Sequence, residues 1–439
     1  MTKPNSPETL LIRGGRLIDP ENRRDGEFDL LVAEGKVARV GKALTAPAGA
    51  QVIDAKGLIV APGLVDIHVH LREPGNEGAE TIESGTRAAA AGGVTSVVAM
   101  PNTQPPIDSV SGVRFLLRRA AETATVRVWP TGAITVGRSG EKLAEIGAMA
   151  EAGAVAVTDD GNAVPDTQLL RRALDYAKMF DLTVIEHAED KSLMGEGVMN
   201  EGPLATRLGH KGIPRQSESI AIARDIALAE LTGAHLHVTH ISTRESVELI
   251  RAAKRRGVRV TSDATPHHFT LTEDAILRYG TNAKMNPPLR TEADRKAIID
   301  GLADGTIDAI ASDHAPHTRA SKEQEFSAAP FGIIGLETIL PLTVTQLIEP
   351  GHLSWPDAIR RLCSGPAKVL SLPVGELGEG QPADVVVIDP AEERTVSGFS
   401  SKSQNSPFLG WTLRGFPQLV LVEGRVVLRR EALRAAPAR

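Results

Sequence analysis

One cysteine, Cys363, stands in a chain of 439 residues, which rules out an internal disulfide. Aromatic residues make up only 3%, while Ala, Gly and Val are abundant. Many small-residue contacts between helices and strands are expected, as in α/β packing. No apolar run approaches the roughly 20 residues needed to cross a bilayer, so no membrane partner is expected. There is no polybasic or acidic tail. Lys and Arg number 49 against 55 Asp and Glu, a mild acidic excess that argues against a general nucleic-acid surface. The first thirty residues are broken by Pro, Asp, Arg and Glu where a secretory signal would carry an apolar core, so a reducing cytoplasm is the expected compartment. No Gly-x-Gly-x-x-Gly or P-loop follows a strand-like run, and nucleotide binding has no support.

What the chain does contain divides into two textures. The length suggests one large domain and a smaller one. From Leu10 to about Ala61, short β-like runs (Leu10 to Ile12, Phe28 to Val32, Val37 to Val40, Val52 to Ile53, Leu58 to Val60) alternate with Gly and Asp turns. The same texture returns in Ala383 to Ile388, Leu419 to Val422 and Arg425 to Leu428. Residues 1–61 and 369–439 are therefore expected to form one small β domain built from both chain ends. Between them, 62–368 alternate strands with helices. The strands are Leu64 to Val69, Val94 to Met100, Val126 to Trp129, Ala154 to Thr158, Thr183 to His187, Leu236 to His240, Val258 to Ser262 and Ile307 to Ser312. Helical spacing marks Thr81 to Ala91, Val113 to Glu122, Lys142 to Ala152, Leu169 to Phe180, Ser219 to Leu231, Arg244 to Arg256 and Ala293 to Asp304. The expected fold is α/β, a (β/α)8 TIM-like barrel, with an open doubly wound sheet as the alternative.

A barrel of this kind builds its site at the C-terminal ends of its strands. Strand one ends in His68 and His70, strand four in Asp159-Asp160-Gly161, strand five in His187, strand six in His240 and strand eight in Asp313-His314. A His-x-His pair alone is weak, since short motifs match by chance. Four histidines with carboxylates on one barrel face form a ligand set suited to zinc or a similar divalent ion. His235 and His237 lie earlier on strand six and are expected to be structural. His210, His267, His268 and His352 lack strand-end placement, although Pro266-His267-His268 follows strand seven and could support the site. Asp159 could cap a turn in place of binding metal, and spacing does not choose between it and Asp160.

Seven segments, in order, carry a resemblance: His68-Val69-His70-Leu71-Arg72-Glu73-Pro74-Gly75, Met100-Pro101-Asn102-Thr103, Thr158-Asp159-Asp160-Gly161, His187-Ala188-Glu189-Asp190, His240-Ile241-Ser242-Thr243, Lys284-Met285-Asn286-Pro287-Pro288-Leu289-Arg290 and Ser312-Asp313-His314-Ala315-Pro316-His317. The chain resembles the amidohydrolase superfamily over nearly its full length, and more narrowly the class I dihydroorotases. The resemblance implies His68, His70, Asp160, His187, His240 and Asp313 as metal ligands, with Asp160 bridging if two metals bind, and so selects Asp160 over Asp159. It implies one or two zinc ions. Hydantoinases, allantoinases and class II dihydroorotases place a carboxylated lysine at the bridging position, whereas Ala154 to Asp160 contains no lysine; this favours class I.

The implied reaction is the reversible cyclisation of N-carbamoyl-L-aspartate to (S)-dihydroorotate in pyrimidine biosynthesis. Zinc lowers the pKa of bound water to about 7, and Asp313 would act as both ligand and catalytic base. Arg72 offers a planar bidentate partner for the substrate carboxylate. The resemblance adds His70, Asn102, Asn286, His317 and the backbone of Phe331 and Gly332 as substrate contacts. The polar stretch Thr318 to Pro330 is expected to be a lid that closes over substrate. Two assemblies are raised by the resemblance, a homodimer and a complex with aspartate transcarbamoylase. The competing readings are another cyclic amidase, a hydantoinase or allantoinase, and an inactive structural partner of aspartate transcarbamoylase. Such partners have lost metal ligands, and here every one is present.

Overall fold

Eight parallel strands follow one another in chain order: Leu64–Val69, Val94–Ala99, Arg127–Gly132, Ala156–Val157, Thr183–Glu186, Leu236–Val238, Val260–Ala264 and Ala309–Ile310. A parallel bridge between Val69 and His314, with His70 N–H donating to His314 O at 2.9 Å, brings the last strand back to the first. This computed structural model, which describes residues 9–431 and 433, is a (β/α)8 barrel. The sequence ranges for the small domain begin and end in residues 1–8 and 434–439, which lie outside the described residues.

The strands are apolar because a parallel sheet sheathed in helices is buried on both faces. All six residues of Leu64–Val69 and of Val94–Ala99 are buried. The sheathing helices are amphipathic in the expected way. Arg244–Arg255 turns Val247, Ile250 and Ala253 inward, is capped by Thr243 accepting from Ser246 N–H, and carries Lys254 and Arg255 at its negative end. Truncating Ile250 to Ala would remove a fully buried side chain at a cost of about 2–5 kcal/mol. Small residues let elements approach closely. A methyl group on Gly63, where the chain enters the barrel, would lie 2.2 Å from the Thr95 side chain.

The chain ends share a second sheet. In spatial order it runs Arg425–Arg429, Thr412–Val422, Val385–Thr395, Ile59–Pro62, Leu10–Asp19, Arg24–Ala33 and Lys36–Gly41, with Gln51–Asp54 beside Leu10–Asp19. N- and C-terminal parts meet where Val385 to Ile388 pairs antiparallel with Pro62 to Ile59. One excursion leaves this sheet. Residues 401–405 return to the C-terminal face of the barrel, where Ser403 Oγ donates to Ala79 O (2.7 Å) and Asn405 Nδ2 to Ala315 O (3.0 Å).

Differences from the sequence pattern are local. Lys142 to Ala152 is helical only over Ile146–Glu151, because Leu143 pairs with Thr135 in a bridge. Helix Trp355–Leu362 after strand eight, helix Pro266–Thr270, and the two-stranded pair Met199–Asn200 with Gly212–Ile213 were not marked by periodicity. Trp355–Leu362 does bury Ala358, Ile359 and Leu362 at helical spacing over its two turns, whereas the other two are too short to repeat a pattern.

Candidate active site and metal centre

His68 and His70 leave the end of the first strand with ring centroids 5.2 Å apart. His70 Nε2 lies 3.0 Å and His68 Nε2 3.5 Å from Asp313 Oδ1. Asp160 reaches the same cluster from strand four: its Oδ1 is 3.2 Å from His68 Nε2, 3.8 Å from His240 Nε2 and 4.0 Å from His187 Nδ1, and its Oδ2 is 3.6 Å from His70 Nε2. His187 Nδ1 and His240 Nε2 face each other at 3.0 Å. All six side chains are buried.

The hydrogen bonds around the cluster decide which nitrogens face inward. Thr239 Oγ1 donates to Asp263 Oδ2 (2.9 Å), so toward His68 Nδ1 (2.7 Å) it acts as acceptor. Asn102 donates to Asp160 Oδ2 (3.2 Å), and its Oδ1 accepts from His70 Nδ1 (2.8 Å). As neutral imidazoles, both histidines thus present bare Nε2 lone pairs to carboxylate oxygens. Two lone pairs at 3.0–3.5 Å repel unless a cation lies between them, and His68 Nε2 is a buried atom with no hydrogen-bond partner. The donor set therefore fits a metal. The triads His68, Asp160, His240 and His68, His70, Asp313 each offer ligand atoms within 4.8 Å of one another. Tetrahedral zinc with bonds of 2.0–2.1 Å would set them roughly 3.3 Å apart.

Without a metal the cluster draws a proton in its place: burial opposes a charged His68, yet the carboxylates of Asp160 and Asp313 push it up to about 10, so the site attracts positive charge. Burial and then His240 push His187 down to about 3, leaving the neutral imidazole that ligates metals. Burial would raise Asp160 and Asp313, but the facing histidines hold both carboxyls below their ordinary range. Asp159 looks elsewhere. Its carboxylate accepts from Thr135 N–H (3.0 Å) and from Thr135 Oγ1, so the structure brings Asp160, and not its neighbour, into the cluster.

Arg72 lies just beyond the histidine pair, in left-handed backbone (φ 58°) that it shares with His240 (39°) and Asp313 (44°). Such strained conformations cost about 1–3 kcal/mol each and persist where surrounding structure over-determines them. Its nearest partners are neutral: Nε donates to Pro316 O (3.1 Å), and a terminal nitrogen lies 3.5 Å from His317 Nε2. Burial pushes Arg72 down to about 10. His317 donates from Nε2 to Phe331 O (2.7 Å), and burial followed by the charge of Arg72 pushes it down to about 3. Gly332 (φ 147°) must be glycine, because a Cβ there would sit 2.7 Å from the His317 ring and 2.8 Å from Ala315 O. Its N–H is committed to Lys284 O (2.9 Å). Asn286 closes the opposite side, with Nδ2 3.2 Å from His187 Nε2 and 3.1 Å from Glu189 Oε1.

A family model described as dihydro-orotase-like matches residues 57–246. The dihydroorotase of Syntrophotalea carbinolica is 54% identical over 422 residues, covering 96% of this chain and 99% of that one. The chain belongs to the dihydroorotase family. That of Geobacter sp. (strain M21) is 53% identical over 420 residues, covering 95% and 99%. Among solved structures, the L-hydantoinase (dihydropyrimidinase) from Arthrobacter aurescens superposes with a TM-score of 0.87 at 26% identity, covering 98% of each chain. The D-hydantoinase (dihydropyrimidinase) from Thermus sp. gives 0.81 at 27%, covering 98% and 97%. The protein is an enzyme, a cyclic amide hydrolase.

Several residues of this dihydroorotase-family site escaped the sequence. Asp263 accepts from His237 Nε2 (2.8 Å), Thr239 Oγ1 (2.9 Å) and His240 N–H (2.7 Å), and so supports the proposed ligand His240 directly and His68 through Thr239. Arg138 donates to the backbone carbonyls of Asp159 and Asp160. Asn405 accepts from His317 N–H (3.0 Å). The one available signal was the polar run Ser400 to Ser406, which interrupts the β texture near the C-terminus. Of the remaining histidines, His235 bonds Thr183 and Thr261 on neighbouring strands (3.0 and 2.9 Å), and His268 bonds Thr265 and Pro287 O (2.8 and 3.0 Å).

Proposed function

We propose that this enzyme is a zinc-dependent dihydroorotase that interconverts N-carbamoyl-L-aspartate and (S)-dihydroorotate in pyrimidine biosynthesis. The observation that carries the substrate choice is Arg72, a guanidinium with neutral partners beside the proposed ligand cluster, together with relatives named dihydroorotase at 53–54% identity. In this reading His68, His70, Asp160, His187, His240 and Asp313 hold one or two zinc ions. The bound cation would supply Lewis acidity toward the ring carbonyl and make water acidic near neutral pH. In the hydrolytic direction water adds to the ring amide carbon and the ring C–N bond breaks. Asp313, turned to the histidines through Oδ1, takes one of the water's protons and delivers it to the departing nitrogen, leaving a free ureido group and a carboxylic acid that ionises by releasing the other proton to solvent. Ring closure reverses each transfer and releases water.

Arg72 holds the substrate's other carboxylate by two parallel hydrogen bonds. Asn102, Asn286, His317 and the backbone of Phe331 and Gly332 shape the rest of the pocket, with His70 serving both metal and substrate. Residues 62–368 are the catalytic unit and 1–61 with 369–439 the supporting one, apart from the excursion at 401–405. The compartment we assign is the cytoplasm; no helix among the described residues is long and apolar enough to cross a membrane. A homodimer and a complex with aspartate transcarbamoylase are the assemblies to test, by sedimentation alone and with that enzyme. Assaying pure enzyme with dihydroorotate, hydantoin and allantoin, with and without chelator, tests activity and metal together. Chelator-sensitive turnover of dihydroorotate is expected, and turnover of only the other two would overturn the reading.

A further inference from the structure

Two lysines near the site have no role in the chemistry above. Lys284 and Lys322 are only 2% and 4% exposed, and their partners are carbonyl oxygens. Lys284 Nζ donates to Phe326 O (2.6 Å), Ser327 O (3.1 Å) and Ala329 O (2.6 Å). Lys322 Nζ donates to Pro330 O and Gly332 O, both at 3.0 Å. His317 takes Phe331 O, and Asn405 adds a second bond to Gly332 O (3.0 Å). Six of the seven carbonyls from Phe326 to Gly332 are thereby held by side chains. The Lys284 ammonium also lies 5.3 Å from the Phe326 ring centroid and 4.7 Å from that of Phe331, and His210 stacks on Phe326 at 4.9 Å.

Burying an ammonium is expensive, so its place under these carbonyls calls for a reason. A short irregular segment with few apolar anchors has another need: its carbonyls must find donors when they leave water. The two ammonium groups meet that need, and they fix the segment where it abuts His317. We propose that Lys284 and Lys322 are positioning residues, whose ammonium groups hold segment 326–332, and through it His317 and the backbone of Phe331 and Gly332, in the arrangement that lines the substrate pocket beside Arg72. Residues 326–330, the end of the stretch expected to form a lid, are the part these side chains hold. This inference rests on the substrate contacts proposed above.

The test uses the full-length, metal-loaded enzyme with Lys322→Met, Lys322→Arg and Lys284→Met. Hydrogen exchange of the 326–332 amides, which needs no substrate, should speed up about tenfold or more in the Met variants, the equivalent of losing one charge-assisted hydrogen bond. KM for dihydroorotate should rise about tenfold with kcat changed less than about threefold, cation content should be unchanged, and Lys322→Arg should recover at least half of the KM loss. Unchanged exchange and KM, a loss confined to kcat, or an Arg variant no better than Met would overturn the proposal. If Lys284→Met does not fold, the Lys322 pair decides alone. If the wild type fails to turn over dihydroorotate, the substrate reading falls while the exchange result still decides whether the lysines hold the segment.

Discussion

Asp159 and Asp160 are adjacent, both buried and both carboxylates, and replacing each by Asn separates their roles. Asp160 Oδ1 has three imidazole nitrogens between 3.2 and 4.0 Å. A unit charge pair 4 Å apart at an effective dielectric constant of 20 is worth about 4 kcal/mol. Removing this carboxylate's charge should therefore weaken cation binding about 10³-fold, with turnover falling alongside. Asp159 faces two Thr135 donors. Its Asn variant keeps one carbonyl acceptor but turns an NH2 toward a donor, a cost of about 1–3 kcal/mol. At about 2.1 cal/mol/K per residue, 439 residues give an unfolding entropy near 0.9 kcal/mol/K, so Tm should fall by about 1–3 °C. Metal content measured after dialysis against buffer, with dihydroorotate turnover and a thermal melt on the same samples, reads all three quantities. Loss of the cation from Asp159→Asn with retention in Asp160→Asn would refute the assignment.

Arg72→Lys keeps the charge but removes the planar fork, and should raise KM for dihydroorotate about 10- to 100-fold with a smaller change in kcat, as read from initial rates. Removing the metal by prolonged dialysis with a chelator should abolish turnover and lower Tm, and restoring zinc should recover both; activity that survives complete removal would defeat the metal assignment. Glu80 is fully buried. Burial would raise its carboxyl, but His314 and the hydroxyls of Ser401 and Ser84 hold it down to about 2. Since its ordinary value is 4.5, the carboxylate stabilises the fold above pH 4.5 by about 3 kcal/mol, and this contribution fades as pH falls toward 2. Glu80→Gln should therefore melt about 3 °C lower at pH 7, with the difference shrinking by about 1.4 kcal/mol for each pH unit below 4.5; a gap independent of pH would contradict the role given to its charge.

The barrel was readable because its signal repeats. Eight apolar runs separated by helices of 3.6 periodicity survive errors of a residue or two at each boundary, and Arg244–Arg255 or Glu292–Asp304 emerge nearly where spacing puts them. Strand-end histidines were legible for the same reason, since a barrel carries every strand's C-terminus to one face. The residues behind them were not. Asp263 lies on strand seven, with nothing in its own neighbourhood to link it to His237 and His240 on strand six, and Asn405 reaches His317 across 88 positions.

The sequence by itself determined the element order, the ligand types and, through a resemblance spanning nearly the whole chain, the family. Local periodicity and side-chain chemistry are properties of the chain, and folding only deploys them. The tertiary structure decided orientation. It turned Asp160 inward and Asp159 toward Thr135, set the Nε2 atoms of His68 and His70 toward carboxylates through Thr239 and Asn102, and placed two ammonium groups under the carbonyls of residues 326–332. Each depends on which groups distant in sequence meet in a water-free interior, where an unpaired lone pair or charge costs several kcal/mol.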